Sequence, residues 1–105
     1  MIGPVPHWKP NLPTLMFRNN QRLDKDQQYL FNHALKDVKD LDSTLYMKTK
    51  DLADVRYYSA LKFLCKIDEC MTTTMYNGTI MPVIWDEAHL TDGGAVLMSN
   101  QLYSN

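Results

Sequence analysis

The stretch that decides the fold is MTTTMYNGTIMPVIWDEAHLTDGGA, residues 71–95. A threonine-rich run and an apolar run, residues 79–85, flank Asn77-Gly78, a dipeptide that favours a tight turn between antiparallel strands. Pro82 cannot donate a ladder hydrogen bond, so the apolar run is confined to a sheet edge or a short strand. The stretch therefore predicts a β-hairpin, then a short loop, then the start of a helix.

The chain closes with that helix, predicted over about residues 92–102. Thr91 or Asp92 can cap it, because short polar side chains accept hydrogen bonds from the first free amides of a helix. Its apolar face is predicted to consist of Ala95, Met98 and Leu102.

The upstream chain alternates helix and strand signals. Asp24 can cap an amphipathic helix over residues 25–40, whose apolar positions recur at helical spacing. Leu45-Tyr46-Met47 is a strand candidate, and Asp51 can begin a second helix that runs to about Leu64. A short helix over residues 12–18 and a short strand over residues 1–5 complete the pattern, among the prolines of the N-terminal segment. The order predicts a mixed α/β fold.

Composition and charge exclude several classes of protein. Of the 105 residues, 45% are hydrophobic and 22% charged, which excludes collagen-like, low-complexity and wholly disordered chains. The formal charge of −1 provides no basic surplus for nucleic-acid binding. No apolar run approaches the roughly 20 residues that a membrane-spanning helix needs. Residues 1–6 lack the basic region of a secretory signal peptide, which taken alone indicates the cytosol.

Asp86 and His89 are the candidate chemistry-bearing pair. They lie three residues apart between an apolar strand and a helix, so on a tight turn their side chains can meet. A carboxylate that accepts the Nδ1 proton of an imidazole orients the ring to act as a general base on a serine hydroxyl. The alternative is that Asp86 caps a turn and His89 is an ordinary surface histidine.

Residues 86–89 also spell DEAH, the Walker B element of a helicase. That chemistry needs a phosphate-binding loop of the type G-x-x-x-x-G-K-[ST]. Only Gly3 and Gly78 precede the motif, and neither begins such a loop. The sequence therefore argues against a nucleotide-driven nucleic-acid motor.

A metal site is not predicted either. His7, His33 and His89 are scattered, and two cysteines separated by four residues, without a second pair, do not make a structural zinc set. Cys65 and Cys70 can form a disulfide if the four residues between them turn, and from spacing alone this is as well supported as two free thiols. The chain-entropy model gives about 2 kcal/mol for so small a loop.

The downstream pattern D-x-x-H-L-T-x-x-G-A, residues 86–95, resembles the C-terminal catalytic block of SGNH hydrolases. It is most similar to the SGNH domains of membrane acyltransferase-3 proteins, which O-acylate cell-surface glycans. Two further segments agree in order and spacing. Residues 2–8, IGPVPHW, resemble a strand-and-turn segment of these domains, and residues 65–70, CKIDEC, resemble their C-x4-C segment before a hairpin.

The resemblance implies the C-terminal part of a three-layer α/β/α SGNH-hydrolase-like domain, with residues 1–105 as a partial domain. Asp86 and His89 carry over as the acid and base of a Ser-His-Asp triad. The serine belongs to a Gly-Asp-Ser block that this sequence lacks. Its nearest match, Asp42-Ser43, lacks the glycine and is predicted to lie at a helix end, so it is not assigned. The chain alone should therefore be inactive.

The resemblance also implies partners and a location. It favours a Cys65–Cys70 disulfide, an acyl donor and a glycan acceptor as substrates, and a membrane acyltransferase domain in the intact protein. It places the domain on the periplasmic or extracytoplasmic side, with no cofactor. Trp85, beside the catalytic aspartate, is the candidate for substrate contact. The rival hypothesis is a non-catalytic binding or interaction module whose D-x-x-H turn is structural.

Overall fold

This computed structural model describes residues 1–103. They contain four helices and five short strands, joined by turns and loops. In chain order they are α1 (Leu12–Arg18), β1 (Tyr29–Phe31), α2 (Leu35–Thr49), α3 (Ala60–Leu64), β2 (Cys65–Lys66), β3 (Glu69–Met71), β4 (Thr73–Tyr76), β5 (Thr79–Pro82) and α4 (Asp92–Tyr103). No helix within these residues has the length and apolar character needed to cross a bilayer.

The strands form two small antiparallel sheets. One has the order β1-β3-β2, and the other is the β4–β5 hairpin. A single parallel bridge joins Ile2 to Tyr58 outside both sheets. The mixed α/β class predicted from the sequence is confirmed at this level.

The β4–β5 hairpin is confirmed with its predicted turn. Asn77 and Gly78 both have positive φ, 50° and 77°, as a two-residue hairpin turn with right-handed twist requires. The second strand ends at Pro82, and the apolar run continues as buried Val83 and Ile84. The hairpin therefore leads directly into the loop that carries Asp86 and His89.

Helix α4 is confirmed, but of its predicted apolar face only Met98 is buried. The Thr91 hydroxyl caps the helix by accepting a hydrogen bond of 3.0 Å from the Gly94 amide. Gly94 and Met98 are buried, whereas Leu102 is 36% exposed and Ala95 is also exposed. The backbone of the helix packs against the hairpin at its two glycines. The spacing of apolar side chains does not predict a contact made by glycine backbone.

The helix predicted over residues 25–40 is wrong in its first half. The Gln28 amide donates to the Thr73 hydroxyl, and the Gln28 carbonyl accepts from the Thr72 amide, so this segment joins the sheet region. Tertiary pairing overrides helix propensity here. The helix begins instead at Leu35 as α2, which also absorbs the strand candidate at residues 45–47.

The second predicted helix, residues 51–64, shortens to α3 at residues 60–64. Its N-cap is Ser59, whose hydroxyl accepts from the Lys62 amide, and not Asp51. The strand predicted at residues 1–5 reduces to the bridge with Tyr58. By contrast, α1 matches its predicted bounds.

The disulfide between Cys65 and Cys70 is present, as the resemblance implies. The two cysteines lie directly opposite each other in the β2–β3 pair. The intervening chain turns with Ile67 at a φ of 41°, and Cys70 is fully buried in the core. The disulfide therefore ties the end of α3 to the three-stranded sheet.

Candidate functional site

The loop that carries Asp86 and His89 is closed by backbone hydrogen bonds. The Trp85 amide donates to the His89 carbonyl at 3.0 Å, and the Thr91 amide donates to the Val83 carbonyl at 3.0 Å. These bonds flank an antiparallel bridge between Ile84 and Leu90, which brings both ends of the loop together. The loop is therefore a narrow turn projecting from the sheet.

The N-terminal segment holds the same loop from the other side. The Trp8 amide donates to the Glu87 carbonyl at 2.7 Å, and the Leu12 amide donates to the Asp86 carbonyl at 3.0 Å. Both donor residues have buried side chains in the hydrophobic core. The core therefore fixes the position of the loop through main-chain atoms.

Within the loop the Asp86 carboxylate has three partners. Its Oδ1 accepts from the Ala88 amide at 2.9 Å and from the His89 amide at 2.7 Å. Its Oδ2 lies 2.5 Å from His89 Nδ1. The two side chains thus meet as their spacing predicts, and the catalytic role assigned to them stays a prediction.

The hydrogen bonds also set the ionisation of Asp86. Partial desolvation raises the pKa of this carboxyl group. The two backbone amides and the His89 side chain outweigh that effect, and the pKa lies below its usual value. Asp86 is therefore an anion near neutral pH, which is the form that accepts the Nδ1 proton of an imidazole.

The imidazole is presented to solvent. The His89 side chain is 74% exposed, whereas that of Asp86 is 29% exposed. When Asp86 accepts the Nδ1 proton, the lone pair of the ring resides on Nε2. The outer nitrogen can then remove a proton from a hydroxyl group that approaches from outside the chain.

Trp85 lies beside the imidazole, as a substrate-contact residue would. Its ring stacks on His89 with centroids 5.6 Å apart and planes 25° apart, and the side chain is 59% exposed. An exposed aromatic face next to a general base is available to an incoming ligand.

Asp42-Ser43 differs from the sequence-based expectation. The pair lies inside α2, which spans residues 35–49, and not at a helix end. Asp42 is 9% exposed and accepts hydrogen bonds from the Tyr57 hydroxyl at 2.5 Å and the Ser59 hydroxyl at 2.7 Å. This cluster was missed, although the register of Asp42 with buried Val38 on α2 signals a carboxylate on the core-facing side.

The Asp42 cluster borders an open cavity of about 620 Å³, lined also by Tyr46, Tyr58 and Lys62. Neither Asp86 nor His89 lines this cavity. Tyr57 is partly buried, and this desolvation raises its pKa, as do its hydrogen bond to Asp42 and repulsion from that carboxylate. The cluster is therefore separate from the Asp86–His89 loop and locks Tyr57 in its neutral form.

Comparison with known proteins gives no family model, no curated protein and no solved structure that matches this chain. Residues 1–103 contain no group of three or more His, Cys, Asp or Glu placed to hold a metal ion.

Proposed function

We propose that this chain is the C-terminal part of an SGNH-type O-acyltransferase or esterase domain with a three-layer α/β/α fold. The observation that carries the proposal is the 2.5 Å contact between His89 Nδ1 and Asp86 Oδ2 on a fixed loop, with the imidazole exposed. Of a Ser-His-Asp triad, the chain supplies the His and the Asp. The serine comes from a polypeptide segment with a Gly-Asp-Ser block.

In the proposed reaction, the serine oxygen attacks the carbonyl carbon of an acyl donor while His89 Nε2 takes the hydroxyl proton. Asp86 holds the ring and stabilises the imidazolium. The donor's leaving group takes that proton as it departs, and an acyl-serine ester remains. A glycan hydroxyl then attacks this ester, His89 takes its proton and returns it to the serine, and the glycan carries the acyl group. In an esterase, water replaces the glycan.

The partners and location follow from the same proposal. A membrane acyltransferase domain delivers the acyl group, and the SGNH domain acts on surface polysaccharide at the periplasmic or extracytoplasmic side. Trp85 stacks on His89 at the edge of the site, where its exposed ring can contact a sugar.

One observation favours the rival function, a binding module with a structural turn. Asp86 Oδ1 accepts two backbone amides of its own loop, so the carboxylate stabilises the turn whether or not catalysis occurs. A turn closed by these two amide bonds does not require an imidazole as a further partner of the carboxylate, however, and His89 provides one.

The experiment is to map the 5′ end of the transcript, measure the mass of the native protein, and assay p-nitrophenyl acetate hydrolysis. We expect a longer product with an in-frame Gly-Asp-Ser block that hydrolyses the ester. His89→Ala should lower its kcat/KM by about a thousandfold or more. His33→Ala is the matched control, since His33 packs against Phe31 outside the loop and its loss should leave the rate unchanged.

Two results would refute the proposal. One is robust hydrolysis by the isolated 105-residue chain. The other is a native product without any serine-bearing segment, which would favour the binding module.

A further inference from the structure

The cavity beside the Asp42 cluster lies between helix α2 and the segment that leads into α3. Asp42 and Tyr46 line it from α2, where a spacing of four residues places them on the same face of the helix. Tyr57 and Tyr58 line it from the segment before α3. Its volume of about 620 Å³ falls within the range of about 300–1,000 Å³ that small-molecule sites occupy.

Asp42 presents a carboxylate to this cavity without a positively charged partner. It is the only buried residue among the described residues that line the cavity. The single ion pair within residues 1–103 joins Asp86 to His89, so within these residues no cationic side chain lies within 4 Å of the Asp42 carboxylate. Removing a carboxylate from water costs free energy that an opposite charge can offset. A cationic ligand would provide that charge.

The two hydroxyl groups next to this carboxylate also favour a ligand that donates hydrogen bonds. The Tyr57 hydroxyl donates to Asp42 Oδ1, and the Ser59 hydroxyl donates to Oδ2. A hydroxyl group has one proton, so each of these oxygens has only lone pairs left for a ligand. Partial burial and the nearby carboxylate raise the pKa of Tyr57, which keeps its proton in place near neutral pH. The cluster therefore offers acceptors, and an ammonium group with its three donors matches them.

The aromatic wall of the cavity already attracts a cation from the chain itself. Lys62 Nζ lies 6.0 Å from the ring centroid of Tyr46, a distance at which cation–π attraction operates. Tyr46 also contacts Tyr57 edge to face, with ring centroids 6.3 Å apart. Phe63 and Met47 add apolar surface to the lining. These groups can surround the apolar body of a ligand whose charged end lies at the Asp42 cluster.

We propose that this cavity binds a protonated primary amine that carries an aromatic ring. The ammonium group donates to the Asp42 carboxylate and to the hydroxyl oxygens beside it, and the ring of the ligand lies against the tyrosine rings. Neither Asp86 nor His89 lines the cavity, so this site is separate from the proposed function and does not depend on it.

The test is an NMR titration of the 105-residue chain with phenethylamine and with phenethyl alcohol, which has a neutral hydroxyl in place of the ammonium group. The amine should shift the amide signals of Ser43, Tyr58 and Ser59, which line the cavity. Its Kd should be at least about tenfold lower than that of the alcohol, because hydrogen bonds to charged groups are stronger than neutral ones.

Three results of the titration would overturn the proposal. One is equal affinity for the amine and the alcohol, and another is a set of shifts that lies outside the cavity. The third is tighter binding of methyl glucoside or of phenylacetate, which would identify the cavity as a sugar site or an anion site.

A pair of charge-removing variants tests the role of Asp42. Asp42→Asn should raise the Kd of the amine at least about tenfold, because it removes the charge with little change of shape. Asp40→Asn is the matched control, since Asp40 is an exposed residue of the same helix that does not line the cavity. An equal effect of the two variants would show only long-range attraction and would overturn the site.

Lys62→Gln provides a measurement that leaves the Asp42 cluster intact, because Ser59 accepts from the backbone amide of residue 62 and not from its side chain. The variant removes a cation that competes with the ligand for the Tyr46 ring. The amine should therefore bind about threefold more tightly. Unchanged or weaker binding of the amine would overturn the proposal.

Discussion

Replacing Gly94 with alanine adds one methyl group and should destabilise the fold next to the Asp86–His89 loop. It lies in the first turn of α4, where the helix backbone contacts the chain just after β5. A Cβ atom built there would overlap the Val83 carbonyl oxygen, and it would lie 3.1 Å from the Val83 carbonyl carbon. That same oxygen accepts the Thr91 amide at 3.0 Å, so a displacement there reaches the end of the Asp86–His89 loop.

The neighbouring Gly93 gives the matched comparison. A Cβ atom there would lie 2.7 Å from Met81 Sδ, which belongs to a flexible side chain and can rotate away, and 3.0 Å from Tyr76 Cβ. Both substitutions to alanine gain helix propensity of about 1 kcal/mol. Overpacking costs about 1–3 kcal/mol, and the upper end applies where the obstacle is backbone. Gly94→Ala should therefore lower the free energy of unfolding by about 2 kcal/mol, whereas Gly93→Ala should lower it by less.

The assay is urea unfolding followed by circular dichroism, with thermal melts as a second measure. A difference of about 2 kcal/mol corresponds to a lower melting temperature of about 8–16 °C for a domain of this size. Equal m-values would show that the variants unfold from equally compact states. If Gly94→Ala were as stable as Gly93→Ala, or more stable than the parent, the close approach of α4 to Val83 would be refuted.

Two further predictions concern the disulfide and Tyr57. The double variant Cys65→Ala/Cys70→Ala, or reduction of the parent with dithiothreitol, should lower the free energy of unfolding by about 2 kcal/mol. Unchanged urea midpoints would contradict this. The pKa of Tyr57 is raised in the folded state. Its contribution to the free energy of unfolding is therefore intact below about pH 10 and is lost as the pH rises further. Urea unfolding between about pH 8 and 11 should show stability falling by at most about 1.4 kcal/mol per pH unit from this group, less a reduction for solvent screening. The fall should be shallower in Tyr57→Phe, and equal slopes would contradict the link to Asp42.

Local chemistry explains the parts of the fold that the sequence predicts well. The turn at Asn77-Gly78 and the Thr91 cap of α4 depend on residues close together in the chain. The same holds for the meeting of Asp86 and His89, which a three-residue turn brings about. These features follow from backbone preferences and short side-chain reach, and both can be read from a single sequence.

Long-range contacts explain the errors. The segment around Gln28 leaves the predicted helix because its backbone bonds to Thr72 and Thr73, more than forty residues away. In the Asp42 cluster, the carboxylate binds hydroxyl groups 15 and 17 residues away in the sequence. No local sequence pattern predicts that Tyr57 or Ser59 is its partner. An amphipathic pattern predicts a helix from the local spacing of apolar residues. It does not predict which distant segment will form hydrogen bonds with the same backbone groups.

The way in which the Asp86–His89 loop is attached determines which of its residues can be substituted. The four bonds that position it, from Trp8, Leu12, Trp85 and Thr91, all run between main-chain atoms. Main-chain groups are supplied by almost every residue type, so Glu87 and Ala88 can change without altering the loop's path. Substitutions at these two positions would therefore leave the contact between Asp86 and His89 in place.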